Sequence, residues 1–87
     1  MDTTLLEVFL AVARVASFTA AARTLGYTQS AVSRQISTLE TELGAALFDR
    51  LPRGVRLTEA GTAFVPHATA IVARLAAARA DQRTLRH

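Results

Sequence analysis

Residues 17–44 read SFTAAARTLGYTQSAVSRQISTLETELG, and this stretch decides the fold. Ser17 and Thr28 are residues that commonly cap the start of a helix, because their hydroxyl accepts a hydrogen bond from a free backbone amide. Gly26 and Gly44 are natural helix ends, because glycine accepts the left-handed conformation that often closes a helix. The segments between these residues repeat apolar side chains every three or four positions. The stretch therefore predicts two helices joined by a tight turn, which is the helix-turn-helix pattern.

The second of these helices, predicted over about residues 29–43, has two sides of different chemistry. At 3.6 residues per turn the side predicted to face the core carries Val32, Ile36, Leu39 and Leu43. The opposite side carries Ser30, Ser33, Arg34 and Ser37. A solvated face would more often carry Glu and Lys, whereas Gln, Arg and Ser hydrogen-bond to base edges in a DNA major groove. The free amides at the helix start, around Gln29 and Ser30, favour a phosphate.

A further helix is predicted before this stretch. Apolar residues recur at helical spacing from Leu5 onwards and indicate a helix from about Thr4 to Ala16. Thr4 and Glu7 match a capping box for its start, and Asp2 or Thr3 is the alternative cap.

After the stretch, the helical period fades and a small hairpin is predicted. Residues 47–50 and 55–57 alternate apolar and polar side chains around a Pro-Arg-Gly turn, which indicates a two-stranded wing. Thr58 then caps a last helix, and Pro66 inside it should kink that helix or confine it to two segments. The predicted fold is mainly α: a winged helix-turn-helix of three helices plus a two-stranded wing over residues 1–58, followed by a long C-terminal helix over 59–87.

Composition narrows the range of functions. The 87 residues suffice for one small domain but hardly for an enclosed substrate cavity. No apolar run approaches the roughly 18 residues of a membrane span, no secretory signal opens the chain, and no cysteine is present, so we expect a protein of the reducing cytoplasm. His67 and His87 are isolated and no general base stands beside a nucleophile, so we expect no metal, no cofactor and no enzyme activity.

The positive charge is unevenly distributed. The formal net charge is +3, and residues 45–87 carry seven Arg against three acidic residues, whereas residues 1–44 carry three Arg against four acidic residues. A modest excess of this kind suits a polyanionic partner but also an ordinary soluble surface, so charge alone does not decide between them.

Five ordered blocks of the chain resemble the LysR-type transcriptional regulators of bacteria. The blocks are residues 17–25, residues 28–36, residues 39–44, Leu47-Phe48-Asp49-Arg50 and Leu57-Thr58-Glu59-Ala60-Gly61. The resemblance runs from about Leu5 to Leu75, which is nearly the whole chain. Five blocks at the right spacing are far more specific than a single helix-turn-helix match.

The resemblance implies sequence-specific binding of double-stranded DNA, with the helix at about 29–43 in the major groove. It implies that Gln29, Ser33 and Arg34 touch bases and phosphates and that Ser30 occupies a contact position. Thr28 and Thr58 match capping hydroxyls near the DNA backbone, and Ser37 lies on the same outward face as the contact residues. The wing residues Arg50, Arg53 and Arg56 match basic residues that reach phosphates or the minor groove. At Ala20 this chain departs from relatives that have a basic or polar residue facing a phosphate, so that contact is expected to be missing.

The resemblance also implies a homodimer. In the family the last helix is a linker that pairs antiparallel with its copy, so the apolar stripe is expected to form a dimer interface of Phe64, Ala68, Ile71, Val72 and Leu75. Packing on the first helix of the same chain accounts for part of the stripe. The operator would then have two half-sites, and a tetramer is a further option in a full-length protein. Relatives bind small-molecule effectors through a larger C-terminal domain, so we expect this chain to be either an isolated piece or a truncated protein.

Two other functions fit parts of the sequence. Winged helices also serve as protein-interaction modules without DNA readout, but such a face would more often present aromatic residues or Leu than small polar groups. RNA binding fits less well, because the major groove of A-form RNA excludes a helix. Tyr27 and Phe48 are interpreted as turn and core residues, and the arginines of the last helix, Arg74, Arg79, Arg83 and Arg86, as solvated.

Overall fold

The computed structural model describes residues 2–86, which form four helices and one antiparallel two-stranded ribbon. The helices are α1 (Thr4–Val15), α2 (Phe18–Leu25), α3 (Gln29–Leu43) and α4 (Glu59–Leu85), and the strands are β1 (Phe48–Arg50) and β2 (Val55–Leu57). The predicted winged helix-turn-helix with a long C-terminal helix is confirmed. Met1 and His87, the outer ends of the two predicted segments, lie outside the described residues.

Side-chain caps start three of the helices. The hydroxyls of Ser17, Thr28 and Thr58 each accept a hydrogen bond from the backbone amide three residues later in the chain, at 3.1, 3.1 and 3.0 Å. Gly26 and Gly44 end α2 and α3 in the left-handed conformation, with φ of 74° and 73°. These boundaries agree with the sequence, because a cap is a local interaction within one helical turn.

The start of α1 differs from the predicted capping box. Thr3 occupies the N-cap position without a side-chain cap bond, and the carboxylate of Asp2 accepts from the Thr4 amide at 2.8 Å and also from the Thr4 hydroxyl. These hydrogen bonds from Thr4, the side-chain one first, lower the pKa of Asp2 below its ordinary value. Of the predicted caps, it is the alternative at Asp2 whose side chain bonds to a free amide at the helix start, that of Thr4.

Four phenylalanines hold the helices and the wing together. Phe9 of α1 lies 5.5 Å from Phe48 and 5.2 Å from Phe64 between ring centroids, and Phe18 lies 6.1 Å from Phe48. Tilted and edge-on ring pairs at these distances add to the stabilisation that burial itself provides. Because Phe48 belongs to β1 and Phe64 to α4, this cluster fixes the wing and the last helix against α1.

Backbone and carboxylate contacts seat the wing on the helices. The Val55 amide donates to the Ala16 carbonyl at 3.0 Å, and Ala16 adopts a left-handed φ of 55° at the end of α1. At the other end of the ribbon, Glu40 of α3 accepts from the Leu47 amide at 2.7 Å and from the Phe48 amide at 3.4 Å. The wing is thus tied to both α1 and α3.

Helix α4 runs without interruption from Glu59 to Leu85, so of the two alternatives predicted for Pro66, a kink or a division into two segments, the division is wrong. Pro66 has no amide hydrogen to donate to the Thr62 carbonyl, but both residues are exposed, so water can bond to the carbonyl that is left free. The core also continues past residue 58, since Phe64 and Val65 pack against it and Ala68 is fully buried. No helix within residues 2–86 is both long and apolar enough to cross a membrane.

One predicted core position on α3 is also wrong. Val32, Ile36 and Leu39 are buried as expected, but the Leu43 side chain is 44% exposed. Leu43 is the last residue of α3, and the chain turns away at Gly44, so its side chain lies at the rim of a shallow groove lined by Ala60 and Phe64 instead of in the core.

Candidate nucleic-acid interface

The outward side of α3 is a polar surface that the rest of the chain leaves open. Gln29, Ser30, Arg34 and Ser37 are exposed, and Ser33 is half-buried at the edge of this side. Val32, Ile36 and Leu39 on the other side are at most 4% exposed. The core therefore holds α3 by one side only, and the structure brings together the residues that the sequence assigned to base and phosphate contact. We call the outward-facing side chains of residues 29, 30, 33, 34 and 37 the α3 face.

Three arginines follow one another along the wing, but their surroundings differ. Side chains alternate between the two faces of a strand, so Arg50 lies on the same face of β1 as the buried Phe48, and Asp49 lies on the other. The register pairs Arg50 with the buried Val55 and pairs Asp49 with Arg56. The helix-facing side of the wing thus carries Arg50, and the solvent-facing side carries Arg56.

Arg50 makes two contacts with the helices. Its Nη2 donates to the Ser33 hydroxyl of α3 at 3.0 Å, and its Cζ lies 4.7 Å from the centre of the Phe18 ring. A guanidinium over an aromatic face is attracted by the ring quadrupole, which holds this otherwise flexible side chain in place. Arg50 is therefore oriented by the protein itself, with its guanidinium beside the α3 face.

The other two wing arginines extend into solvent. Arg56 lies 3.9 Å from the Asp49 carboxylate across the strands, with 68% of its side chain exposed. Such an exposed pair is worth little, so it leaves Arg56 available for another anion. Arg53 is exposed in the turn between the strands, where the Leu51 amide donates to the Gly54 carbonyl at 3.0 Å. The two side chains add positive charge to the solvent-exposed surface of the wing.

The two capping threonines are not equivalent. Thr28 is exposed at the start of α3 and accepts from the Ala31 amide, which leaves its hydroxyl proton free for an outside acceptor. Thr58 is half-buried, and its hydroxyl accepts from the Gly61 amide and donates to the Ala46 carbonyl at 2.6 Å. Thr58 therefore joins the wing loop to α4 with both of its hydrogen-bonding functions.

The apolar stripe of α4 divides into two parts. Phe64 packs on Phe9 and Ala68 is fully buried in the core of its own chain, so Ala68 offers no surface to a second copy. Farther along, Ile71 is 48% exposed, and Val72 and Leu75 are half-buried. A shallow groove runs beside them toward the start of α1, lined by Thr3, Leu6, Ala70 and Ala78. The second part contains Ile71, which is the most exposed residue of the predicted stripe.

Sequence reasoning did not assign the residues that orient this surface. Glu40 is not among the predicted site residues, and its bonds to the amides of Leu47 and Phe48 arise from tertiary folding. Phe18 is not among them either, and its contact with Arg50 crosses 32 residues of sequence. No local signal identifies either residue.

The fold and the α3 face together define a winged helix-turn-helix protein. Within residues 2–86, no group of three or more His, Cys, Asp or Glu side chains is placed to hold a metal ion. Residues 3–62 match the family described as bacterial regulatory helix-turn-helix protein, lysR family. The chain belongs to the LysR family.

Curated relatives and solved structures agree with this assignment. The chain is 53% identical to the HTH-type transcriptional regulator ShiR of Corynebacterium glutamicum over 91% of this chain and 27% of that protein. It is 46% identical to the HTH-type transcriptional regulator HdfR of Escherichia coli over 100% of this chain and 32% of that protein. It therefore spans about a quarter to a third of the length of these two relatives. Their names are those of regulators and not of enzymes.

Among solved structures, similar folds occur in complexes with DNA. The chain resembles the DNA-binding domain of CbnR in a DNA complex, with a TM-score of 0.94 and 34% identity over 100% of both chains. It resembles the BenM DNA-binding domain bound to benA site 1 DNA with a TM-score of 0.89 and 34% identity, over 98% of this chain and 96% of that one. Vibrio fischeri DarR in complex with DNA gives a TM-score of 0.92 and 35% identity, over 98% of this chain and 29% of DarR.

Proposed function

We propose that this chain is the DNA-binding part of a LysR-type transcriptional regulator and binds double-stranded DNA sequence-specifically. In this proposal α3 enters the major groove through the α3 face, and the wing lies along the neighbouring backbone. A regulator of chromosomal DNA in a bacterium acts in the cytoplasm, and this domain needs no cofactor for that task.

The α3 face carries the proposal. Its side chains are a cation, an amide and hydroxyls, all exposed except the half-buried Ser33, on a helix whose apolar side is almost fully buried. Arg pairs with guanine, Gln pairs with adenine, and Ser bonds to either base edges or phosphates. Arg34 and Gln29 are the proposed base readers, with Ser30, Ser33 and Ser37 beside them.

The wing and the caps supply the phosphate contacts in this proposal. Arg53 and Arg56 are exposed and carry charge that a polyanion would neutralise, and the free hydroxyl proton of Thr28 suits a phosphate oxygen. Arg50 lies nearer to the helices and acts at the junction of the wing and α3. Thr58 contributes by fixing the wing loop to α4, since its hydroxyl is already used twice.

A homodimer through α4 completes the proposal. Ile71, Val72 and Leu75 form the open part of its apolar stripe, and α4 extends the molecule to 52 Å along its longest axis. Two copies paired through this helix would place two recognition helices in successive major grooves about 34 Å apart, so the operator would contain two half-sites. Any effector domain, and any tetramer built with it, would lie in a longer protein.

Binding to selected DNA tests the proposal. A duplex enriched by the wild-type chain from a random pool is titrated by fluorescence anisotropy at 50 and 200 mM salt, against a scrambled duplex of equal length. We expect the enriched duplex to bind more tightly at both concentrations and both affinities to fall steeply with salt, because neutralised phosphates release counterions. Equal affinity for both duplexes, or no affinity, would contradict the proposal and favour a protein-interaction module.

A further inference from the structure

The junction between the wing and α3 suggests a role for Arg50 that differs from phosphate contact. We infer that Arg50 is a positioning residue: it holds the wing against α3 and turns the Ser33 hydroxyl into a hydrogen-bond donor toward DNA. The inference rests on the proposed function, which it deepens by assigning the chemistry that Ser33 recognises.

The direction of one hydrogen bond carries the first step. A guanidinium has only donors, so Ser33 Oγ must be the acceptor in its 3.0 Å bond with Arg50 Nη2. One lone pair of Oγ is then occupied, and the hydroxyl proton must point to a different partner. In residues 2–86 the bond from Arg50 is the one hydrogen bond found for this hydroxyl.

Two threonine hydroxyls of α3 are bonded in a different way. Thr38 and Thr41 donate their protons to carbonyls of their own helix, those of Arg34 and Ser37, at 3.1 and 3.0 Å. Their protons are therefore committed inside the protein. The Ser33 proton is not committed in that way, and Ser33 lies on the same helix beside the exposed Arg34 and Ser37.

Two anchors make Arg50 rigid enough to impose this direction. Its guanidinium lies over the Phe18 ring. Phe18 is only 7% exposed and packs edge-on against Phe48, which belongs to the same strand as Arg50. Arg50 also faces the helices because it shares the inner face of β1 with Phe48. The arginine is thus oriented before any ligand arrives, which reduces the entropy lost on binding.

The chemical consequence is a preference for acceptors. A hydroxyl that already accepts from Arg50 has its proton available for a DNA acceptor and one lone pair fewer for the amino groups of adenine and cytosine. The acceptors in the major groove are N7 of both purines, O6 of guanine and O4 of thymine, and the backbone offers phosphate oxygens. Cytosine presents only an amino donor there, so Ser33 would disfavour cytosine where it meets a base edge.

A double-mutant cycle tests the positioning role. On the enriched duplex, we expect R50M and S33A each to weaken binding about tenfold and the double variant to be no weaker than R50M alone, because both remove one interaction. As the matched control, R53M combined with S33A should multiply the two losses. R50M should keep the wild-type slope of log affinity against log salt, whereas R53M should lower it by about 0.9. R50Q, which is polar but shorter, carries the same test if urea unfolding shows that R50M does not fold.

The results that would overturn this inference differ from the result that would overturn the proposed function. Multiplied losses for R50M with S33A, or a slope reduced by about 0.9 in R50M, would make Arg50 an independent phosphate contact and overturn the inference. If selection with the wild-type chain enriches no duplex, the proposed function itself fails.

Modified duplexes test the donor assignment and distinguish its two sources. The enriched duplex is scanned with base analogues that each lack one acceptor, which is N7 of a purine, O6 of guanine or O4 of thymine, and with methylphosphonates, which replace a charged phosphate oxygen. We expect one position at which a substitution weakens binding by the wild-type chain about fivefold but leaves binding by S33A unchanged. A position in the base-analogue scan identifies a base contact, and a position in the methylphosphonate scan identifies a backbone contact. Absence of such a position from both scans would overturn the donor assignment.

Discussion

Helix α3 and the second half of α4 both leave one side in solvent, but the two sides differ in chemistry. The α3 face presents Gln29, Arg34 and small hydroxyls, whereas the open part of α4 presents Ile71 and half-buried Leu75. A polar face with one cation suits a hydrated polyanion, and an apolar stripe suits burial against another protein surface. Exposure alone therefore does not define a site, and the chemistry of the exposed side indicates the kind of partner.

The substitution G61A should loosen the packing of the wing loop against α4, and we expect the largest effect from it. A Cβ on Gly61 would collide with the Leu47 carbonyl oxygen and crowd Leu57, so the wing loop would have to move away from α4. We expect a loss of about 3 kcal/mol in the free energy of unfolding, measured by urea denaturation.

A matched control separates this contact from the backbone preference of glycine. G44A meets no atom within 4 Å but must adopt a φ near 73°, so it should cost only about 1 kcal/mol. Gly61 is in a helix, where alanine is otherwise favoured by about 1 kcal/mol. A G61A variant as stable as the wild type would show that the loop and α4 are not tightly packed.

The substitution R34A should weaken DNA binding through the α3 face and leave the surface of α4 unchanged. A lost arginine contact with a base costs about 2 kcal/mol, or roughly 30-fold in affinity, and should relax the sequence preference at one position. Binding to the enriched duplex and to single-base variants of it measures both effects. R83A removes the same charge near the far end of α4 and should change affinity less than twofold. Equal losses of affinity in the two variants would show that Arg34 contributes only through its positive charge.

The substitution I71E should weaken dimerisation through α4 and leave the fold unchanged. Full burial of an isoleucine is worth about 2 kcal/mol, so a buried charge there should raise the dimer Kd at least about tenfold, measured by sedimentation. A77E changes an exposed position on the opposite side of α4 and serves as control. If I71E and A77E sediment alike, the interface lies elsewhere.

We expect the smallest effect on DNA affinity from the substitution R53A. Loss of one phosphate contact lowers the slope of log affinity against log salt by about 0.9 and weakens all duplexes equally. Anisotropy titrations of the enriched and scrambled duplexes over four salt concentrations measure it. An altered sequence preference in R53A would instead assign the wing a reading role in the minor groove.

Much of the architecture follows from local sequence. Ser17, Thr28 and Thr58 cap helices because a hydroxyl reaches an amide only one turn away, and Gly26 and Gly44 end helices because their backbone tolerates a positive φ. The two sides of α3 follow from its 3.6-residue period. These features were predictable because each depends on residues close together in sequence.

Tertiary structure decided the features that depend on distant residues. Leu43 fits the apolar period of α3 but is exposed because the helix ends there, and Ala68 fits the predicted interface but is buried on its own chain. The chain pattern makes Arg50 equivalent to Arg53 and Arg56, and only the pairing of β1 with β2 turns it toward Phe18 and Ser33. Periodicity specifies which side of a helix is apolar, whereas what covers that side depends on how the elements meet in space.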